Sequence, residues 1–332
     1  MQYVGEMGRN EMRAGVIGIG SMGQNHARVY SELGVLTGVC DMNKEQLQSV
    51  ASRFVATPFT DYRELLEEVD VVSIATPTAL HSEVALYALN HGVHVLVEKP
   101  ICLNVEEAAL MVQRAEDKNL VLAVGYIERH NPVVRFVKKA LENGEFGDVI
   151  SAMGRRVSPN PSREGIGIIL DIATHEFDVI QYILNTRIDS IYVLTDKSRT
   201  YTGISLGLNN GSSAFIEANY LTPMKTRKLY LTCSKGFVTM DYMEQSVEIS
   251  LSKLIGYDVK NLFETTSVEF SIRKLHLNRE EPLKNEILDF LAAVQLDKKP
   301  LVTGEDGLSA LKVALAGEDS CRGGQKVEIP NN

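Results

Sequence analysis

The sequence has few cysteines, no long apolar run and no excess of basic residues, and each shortage excludes a class of protein. Its four cysteines, Cys40, Cys102, Cys233 and Cys321, are scattered through 332 residues without a C-x-x-C pair, which argues against a disulfide framework and a cysteine metal site. The apolar runs have the length of strands and are too short to cross a membrane. With 34 basic and 43 acidic residues, the net charge of −9 argues against binding to nucleic acid.

The length and composition predict a protein of two ordinary domains. Hydrophobic residues make up 44% and charged residues 23% of the chain, which is close to the average for globular proteins. Residues 1–13 are a polar extension without the apolar segment of a secretion signal. Because scattered thiols suit a reducing compartment, we expect a cytoplasmic protein.

Between residues 14 and 125, short apolar runs alternate with segments of helical periodicity. The runs are Ala14–Ile19, Val35–Cys40, Val71–Ala75, Val93–Val97 and Val121–Val124. Runs that are apolar throughout are typical of strands buried on both faces of a parallel sheet. Asp61 and Asn104 each precede a helical segment with Glu three residues later, which predicts two helix N-caps. The alternation predicts an N-terminal doubly wound parallel sheet over residues 1–130.

The pattern changes after residue 130. Asn210-Gly211 separates two alternating segments, Ile204–Leu208 and Ala214–Tyr220, which is a strong signal for a β-hairpin. A helix is expected from about Ile169 to Leu184. These features predict a second α/β domain over residues 131–332, with a mostly antiparallel open sheet.

A G-x-G-x-x-G motif lies at residues 18–23, directly after the first apolar run and before a helical segment. In that context Gly18 allows the tight turn, Gly20 lets the backbone approach a pyrophosphate, and Gly23 permits close packing of helix and strand. The motif predicts a Rossmann-type dinucleotide site, although a plain turn between core elements is the alternative. The expected cofactor contacts here are Gly18, Gly20, Ser21, Met22 and Gly23.

Three further residues stand at the ends of predicted strands, where ligands bind in such sheets. Asp41 ends the second strand, near the position at which an acidic residue holds the adenosine ribose. A carboxylate there would repel a 2′-phosphate, which favours NAD over NADP; a solvated Asp is the alternative. Thr76 and Pro77 follow the run Val71–Ala75 and are expected to contact the cofactor or to form a simple turn. His81 is expected to be a surface or capping residue.

Glu98-Lys99-Pro100 follows the apolar run Val93–Val97. Charges directly after a buried strand are expected at the edge of the sheet and not in the core. A lysine there can stabilise a developing alkoxide or take part in proton transfer. A solvated loop remains the alternative.

The second cluster is Asp171, His175 and Asp178, which helical spacing places on one face. A carboxylate one turn from a histidine can orient the ring for general base catalysis. An amphipathic helix with solvated polar residues would give the same pattern. No third group of ligands accompanies these residues, so no metal site is predicted.

Three arginines, Arg155, Arg156 and Arg163, flank a proline-rich loop just before this helix. Guanidinium groups bind phosphates through paired hydrogen bonds, so these residues are candidates for holding a substrate diphosphate. Ordinary surface arginines are equally consistent with the sequence.

Together these motifs resemble the glucose–fructose oxidoreductase/inositol dehydrogenase/MocA family over nearly the whole chain. The resemblance is carried by the glycine motif, Ala75-Thr76-Pro77, Glu98-Lys99-Pro100, Asp171-x-x-x-His175-x-x-Asp178 and a closing segment at 281–308. It implies an NAD-dependent oxidoreductase acting on CH–OH groups, with Glu98 and Lys99 among the cofactor contacts. It also implies that Lys99 and His175 form the catalytic pair and that Asp171 positions His175 or the substrate. A homodimer or homotetramer formed through the C-terminal sheet is expected.

Within that family, the segments 23–30, 125–132 and 155–157 are most similar to the group that oxidises UDP-N-acetylglucosamine at its 3-hydroxyl. This resemblance implies a nucleotide-sugar substrate, with Arg155, Arg156, Arg163, Asp171 and His175 in contact with it. Three alternatives remain open. They are a dehydrogenase for another sugar or polyol, such as inositol, a glycoside hydrolase with internal NAD redox chemistry, and a catalytically silent NAD or sugar sensor.

Overall fold

A computed structural model describes residues 12–159, 166–255 and 267–330. The chain divides into two compact units. The first consists of Met1–Ile127 and Leu283–Leu311, and the second of Glu128–Pro282 and Lys312–Asn332. Each unit contains one sheet with helices, which confirms the α/β class predicted from the sequence.

The first unit contains a six-stranded sheet. Its strands are β1 (Ala14–Ile17), β2 (Leu36–Cys40), β3 (Thr57–Phe59), β4 (Val71–Ile74), β5 (His94–Glu98) and β6 (Leu122–Gly125). The order is β3-β2-β1-β4-β5-β6 and every pair is parallel, which confirms the predicted doubly wound sheet. The buried runs form the centre of the sheet because both of its faces are covered by helices.

The described residues contain nine α-helices, several of which begin at a side-chain cap. They are α1 (Ser21–Glu32), α2 (Lys44–Phe54), α3 (Tyr62–Leu66), α4 (His81–Asn90), α5 (Val105–Asp117), α6 (Pro132–Glu142), α7 (Thr174–Leu184), α8 (Pro282–Gln295) and α9 (Gly304–Gly323). Asp61 and Asn104 accept backbone N–H groups at the starts of α3 and α5, as the sequence predicted. None of the helices in the described ranges is long and apolar enough to cross a membrane.

The second unit contains a nine-stranded, mostly antiparallel sheet. Its strands are β7 (Val149–Val157), β8 (Ile188–Thr195), β9 (Tyr201–Leu208), β10 (Ser213–Asn219), β11 (Thr226–Cys233), β12 (Gly236–Asp241), β13 (Ser246–Ile255), β14 (Ser267–His276) and β15 (Val327–Glu328). The order is β14-β13-β12-β11-β7-β10-β9-β8-β15, and only β7 and β10 pair in parallel. The predicted hairpin joins β9 to β10, with Gly211 at a φ of +84° in the turn.

The chain returns to the first unit near its end. Leu283, Ile287, Phe290 and Leu291 of α8 are buried in the same core cluster as Val16 of β1. Apolar residues spaced three and four apart form one helical face, and this face is covered by the first unit's core. Residues Leu283–Leu311 are therefore part of the first unit, whereas the sequence pattern groups everything after residue 130 together.

Candidate active site

The turn between β1 and α1 requires glycine at two of its three glycine positions. Gly18 has a φ of +82°, and a Cβ built on it would lie 2.6 Å from the Thr76 backbone nitrogen. A Cβ on Gly23 would lie 1.8 Å from the Gly18 carbonyl oxygen. A Cβ on Gly20 would meet nothing within 4 Å, so open space lies beside this residue. The backbone therefore requires glycine at positions 18 and 23, and the space beside Gly20 is open to a ligand.

The turn opens onto the N-terminus of α1, which begins at Ser21 without a side-chain cap and without an acidic residue in its first turn. Uncapped N–H groups and the helix dipole favour an anion at this position. Thr76 adds a polar atom: its Oγ1 is buried and has no hydrogen-bond partner within the described part of the chain. The open space at Gly20, the uncapped helix and this hydroxyl fit a bound dinucleotide.

Asp41 lies at the end of β2 and holds the glycine turn. Its carboxylate accepts hydrogen bonds from the backbone nitrogens of Ile19, at 2.9 Å, and Asn43, at 2.8 Å. The Gln46 side chain donates to the Ile19 carbonyl at 2.6 Å from the other side. The half-buried carboxylate is therefore fixed beside the turn where an acidic residue is expected to face the ribose.

His81 joins the two loops that follow β4 and β5. Its ring nitrogens lie 3.0 Å from the Thr76 carbonyl and 3.0 Å from the Pro100 carbonyl. The residue is buried, and burial lowers its pKa. The expectation of a surface or capping histidine is wrong, because the ring lies between the loops that carry Thr76 and Lys99. Local spacing carries no sign of these contacts, since Pro100 is 19 residues away.

Glu98 is anchored by a buried row of polar side chains. Its Oε1 lies 3.0 Å from Nε2 of His26, whose Nδ1 lies 3.0 Å from the Ser73 hydroxyl, and that hydroxyl lies 2.9 Å from the Tyr30 hydroxyl. Burial opposes ionisation of Glu98, but its hydrogen bond to His26 and the charges of His26 and Lys99 hold its pKa below the usual value. The other Glu98 oxygen accepts the Lys99 backbone N–H at 3.2 Å. An anion is thus fixed at the base of the Lys99 loop.

In the second unit, Asp171 and His175 are the polar residues that remain accessible on a buried segment. Every other residue from Ile168 to Ile180 is buried, whereas these two are partly exposed. The Asp171 carboxylate accepts the Tyr220 hydroxyl at 2.8 Å. The sequence reasoning missed this contact of Tyr220. A carboxylate and an imidazole are thus partly exposed on this segment.

Asp178 differs from Asp171 and His175 because it is buried. It is 1% exposed and its carboxylate receives Arg129, with Nη2 at 2.6 Å and Nε at 3.0 Å. His175 and Asp178 both lie in α7, three residues apart, whereas Asp171 lies in the π-helical turn Ile169–Ala173, which changes the angle between Asp171 and the residues after it. Burial and the ion pair with Arg129, and not the helical spacing, distinguish Asp178 from His175. Asp178 is therefore a structural ion-pair partner.

Of the three predicted arginines, Arg155 and Arg156 do not point to one place. Arg156 is 4% exposed, and its guanidinium binds Glu176 at 2.8 Å and Glu128 at 2.9 Å. Arg155 points to the opposite face of β7, where it pairs with Glu217 at 2.9 Å. Because the guanidinium of Arg156 is enclosed by protein and bound to two carboxylates, we exclude it from the direct substrate contacts. Arg163 lies outside the described residues.

The carboxylates around Arg156 have opposite pKa shifts. Burial raises the pKa of Glu176, although Arg156 opposes that shift. Glu128 has a lowered pKa, because Arg156 and Arg227 outweigh the effect of its burial.

In the described ranges, no three histidine, cysteine or acidic side chains are grouped as metal ligands.

The parallel sheet with its glycine turn and uncapped helix defines a Rossmann-type dinucleotide-binding protein. Residues 12–126 match the oxidoreductase family with an NAD-binding Rossmann fold, and residues 134–239 match the C-terminal domain of GFO/IDH/MocA proteins. The chain belongs to this GFO/IDH/MocA family of NAD-binding oxidoreductases, as the sequence motifs indicated.

Relatives of known activity cover almost the whole chain. UDP-N-acetylglucosamine 3-dehydrogenase of Acidithiobacillus ferrooxidans is 31% identical over 92% of this chain and 95% of its own. Its solved structure has a TM-score of 0.83 at 28% identity, covering 94% of this chain and 98% of that one. The NAD-dependent scyllo-inositol 2-dehydrogenase of Bacillus subtilis is 26% identical over 96% of this chain and 97% of its own.

Proposed function

We propose that this protein is an NAD-dependent dehydrogenase that oxidises a ring hydroxyl of a sugar, with UDP-N-acetylglucosamine, oxidised at its 3-hydroxyl, as the leading substrate. The observation that carries the proposal is the accessible pair of Asp171 and His175 on an otherwise buried segment. A proton acceptor with a fixed carboxylate neighbour is what alcohol oxidation requires. The similarity to a UDP-N-acetylglucosamine 3-dehydrogenase supports the substrate.

The first unit supplies the cofactor contacts in this proposal. The residues are Gly18, Gly20, Ser21, Met22, Gly23, Asp41, Thr76, Pro77, Glu98 and Lys99. The fixed Asp41 carboxylate would repel the 2′-phosphate of NADP, so NAD is the preferred cofactor. When bound, NAD supplies the acceptor for a hydride from the substrate carbon.

The remaining chemistry is proton transfer by the chain's own residues. His175 accepts the proton of the reacting hydroxyl, while the carbon-bound hydrogen leaves with its electron pair as hydride. Asp171, itself held by Tyr220, fixes the orientation of substrate or His175. Lys99 donates a hydrogen bond that stabilises the developing alkoxide. The substrate loses two electrons and two hydrogens and becomes a ketone.

The proposal is tested by the absorbance of NADH when the protein is mixed with NAD and a substrate panel. The panel contains UDP-N-acetylglucosamine, inositol and free sugars, with a carbonyl trap because ketone formation is uphill. NADH that appears only with the nucleotide sugar supports the leading substrate. NADH with inositol alone indicates the polyol alternative, which the similarity to scyllo-inositol 2-dehydrogenase favours. Cleaved substrate without NADH, or NAD binding without turnover, would replace the proposal by the hydrolase or the sensor.

A His175→Asn variant tests the assigned base. We expect turnover to fall by about 100-fold or more, because general base catalysis contributes roughly that factor. Affinity for NAD should stay nearly unchanged, measured by titration of cofactor fluorescence. Unchanged turnover would remove His175 from the mechanism. His91→Asn, an exposed histidine on the first unit, is the control.

We also propose that the cytoplasmic protein is a homodimer or homotetramer formed through the open face of the second sheet. Met153 is the register partner of Phe215 and Tyr230 on this face, and Tyr230 stacks on Phe237 with ring centroids 6.1 Å apart. Met153 and Phe215 are about half exposed, at 51% and 50%. Contiguous exposed apolar residues mark interaction surfaces.

Light scattering with size-exclusion chromatography tests this assembly. Phe215→Glu should shift the protein to monomer, because it introduces a charge into an apolar contact. Met42→Glu, an exposed residue of the first unit, should leave the assembly unchanged. A wild-type monomer at all concentrations would refute the interface.

A further inference from the structure

One end of the second sheet brings together three chain segments. β7 runs parallel to β10 and antiparallel to β11, and Val157 is the register partner of both Asn219 and Thr226. The end of β7, the end of β10 and the start of β11 therefore meet. Tyr220, which holds Asp171, directly follows β10 at this place.

Three cations lie at that same end, and we call Arg156, Arg227 and Lys225 the cationic cluster. Arg156 and Arg227 are cross-strand partners on β7 and β11. Both approach the same oxygen of Glu128, Arg156 at 2.9 Å and Arg227 at 3.5 Å. Lys225 comes two residues before Arg227 and is exposed.

The cluster has more positive charge than its carboxylates balance. Arg156 is enclosed and bound to Glu128 and Glu176, whereas Arg227 is 35% exposed and its ion pair within the described chain is the long contact to Glu128. Burial and the Arg156 charge lower the pKa of Arg227, and the Arg227 charge and burial lower that of Lys225. Crowding of like charges in a partly desolvated place is unfavourable until an anion joins them.

We propose that Lys225 and Arg227 form a subsite for an anionic group of the substrate, a phosphate or diphosphate. Arg156 fixes Glu128, Glu128 in turn holds Arg227, and Arg156 makes no direct contact with the anion. The inference rests on the proposed function in one respect: the subsite shares its end of the sheet with Tyr220 and Asp171, so the anion belongs to the molecule that is oxidised. A nucleotide sugar or sugar phosphate meets this requirement, and a neutral polyol does not.

The first test is direct binding, which does not require turnover. Calorimetric titration with UDP and with inorganic pyrophosphate should show binding that weakens as salt is raised. Lys225→Gln and Arg227→Gln should each weaken it by about tenfold or more, because each removes a charge-assisted hydrogen bond. Lys225 is exposed, so its variant stays informative if Arg227→Gln does not fold.

Lys228→Gln is the matched control. Lys228 is on the same strand, but its side chain is directed to the other face, where it pairs with Asp241 at 3.2 Å. The Lys228→Gln variant should bind UDP and inorganic pyrophosphate as the wild type does. Equal binding by all four proteins, or no binding by the wild type, would overturn the subsite.

The second test separates this inference from the proposed function. In the Lys225→Gln variant, KM for UDP-N-acetylglucosamine should rise about tenfold with little change in kcat, because binding is lost equally in the ground and transition states. UDP binding without any NADH formation would keep the subsite and refute the dehydrogenase. Oxidation of a neutral sugar by a protein that has no affinity for UDP would keep the dehydrogenase and refute the subsite.

Discussion

The buried row that anchors Glu98 predicts a measurable coupling between two hydroxyl groups. Ser73 is fully buried, and its Oγ lies within 3.0 Å of both His26 Nδ1 and the Tyr30 hydroxyl. Donation in one direction, from Tyr30 to Ser73 to His26 to Glu98, satisfies every member of the row. Ser73→Ala therefore leaves two buried polar groups without their partner.

The magnitude is set by these contacts. A buried polar group that loses its hydrogen bond costs about 1–3 kcal/mol, so Ser73→Ala should lower the free energy of unfolding by about 2–4 kcal/mol. Tyr30→Phe alone should cost about 1 kcal/mol, because Ser73 keeps its bond to His26. In the double variant the Tyr30 hydroxyl is absent, so only His26 loses a hydrogen-bond partner. The two changes together should cost about 1–2 kcal/mol less than the sum of the single changes.

Urea unfolding of the four proteins, followed by circular dichroism with m-values compared, measures this cycle. Ser82→Ala combined with Tyr30→Phe is the control, because Ser82 donates to Glu107 and shares no partner with Tyr30. That pair should be additive within about 0.5 kcal/mol. Additivity of the Ser73 and Tyr30 changes would refute the shared row.

Two further predictions concern the glycine turn and the pH dependence of stability. Gly23→Ala should lower the melting temperature and abolish dinucleotide binding, because its Cβ would lie 1.8 Å from the Gly18 carbonyl oxygen. Gly20→Ala should fold normally but weaken NADH about tenfold or more in fluorescence titrations, and unchanged affinity would contradict the proposed pyrophosphate position. Burial, with the charges of Arg135 and Arg129, lowers the pKa of His130 to about 3, so below about pH 6.5 only the unfolded chain takes up this proton. Unfolding free energy should fall by about 2 kcal/mol between pH 7 and pH 5 from this group, and urea titrations of His130→Gln should lose that difference.

The first sheet could be predicted from the sequence because its signals are local. Strands covered on both faces are apolar at every position, and Asp61 and Asn104 cap helices within their own segments. The glycine motif is likewise recognised from its neighbours in the sequence, the apolar run before it and the helical segment after it. Spacing alone does not distinguish Asp171 and His175, because the same segment also contains the buried polar residues Thr174, Glu176 and Asp178.

The errors have long-range or geometric causes. A π-helical turn changes the angle between Asp171 and the residues after it, and Asp178 is buried against Arg129, which lies 49 residues away in the sequence. His26 contacts Glu98 across 72 residues, so its role depends on tertiary structure that periodicity does not encode. Arg155 and Arg156 cannot belong to one cluster, because neighbours on a strand face opposite sides of the sheet.

Arg156 also shows that a residue singled out by the sequence can be a buried part of the structure. Removing it would leave Glu176 buried without its cation, and breaking such a pair costs about 3–5 kcal/mol. It would also displace Arg227, because Glu128 would no longer be shared with Arg156. Loss of activity in an Arg156 variant would therefore be explained by unfolding or by displacement of Arg227. Lys225 is exposed, so its replacement should not unfold the protein. The Lys225 variant therefore reports directly on whether the substrate carries an anion.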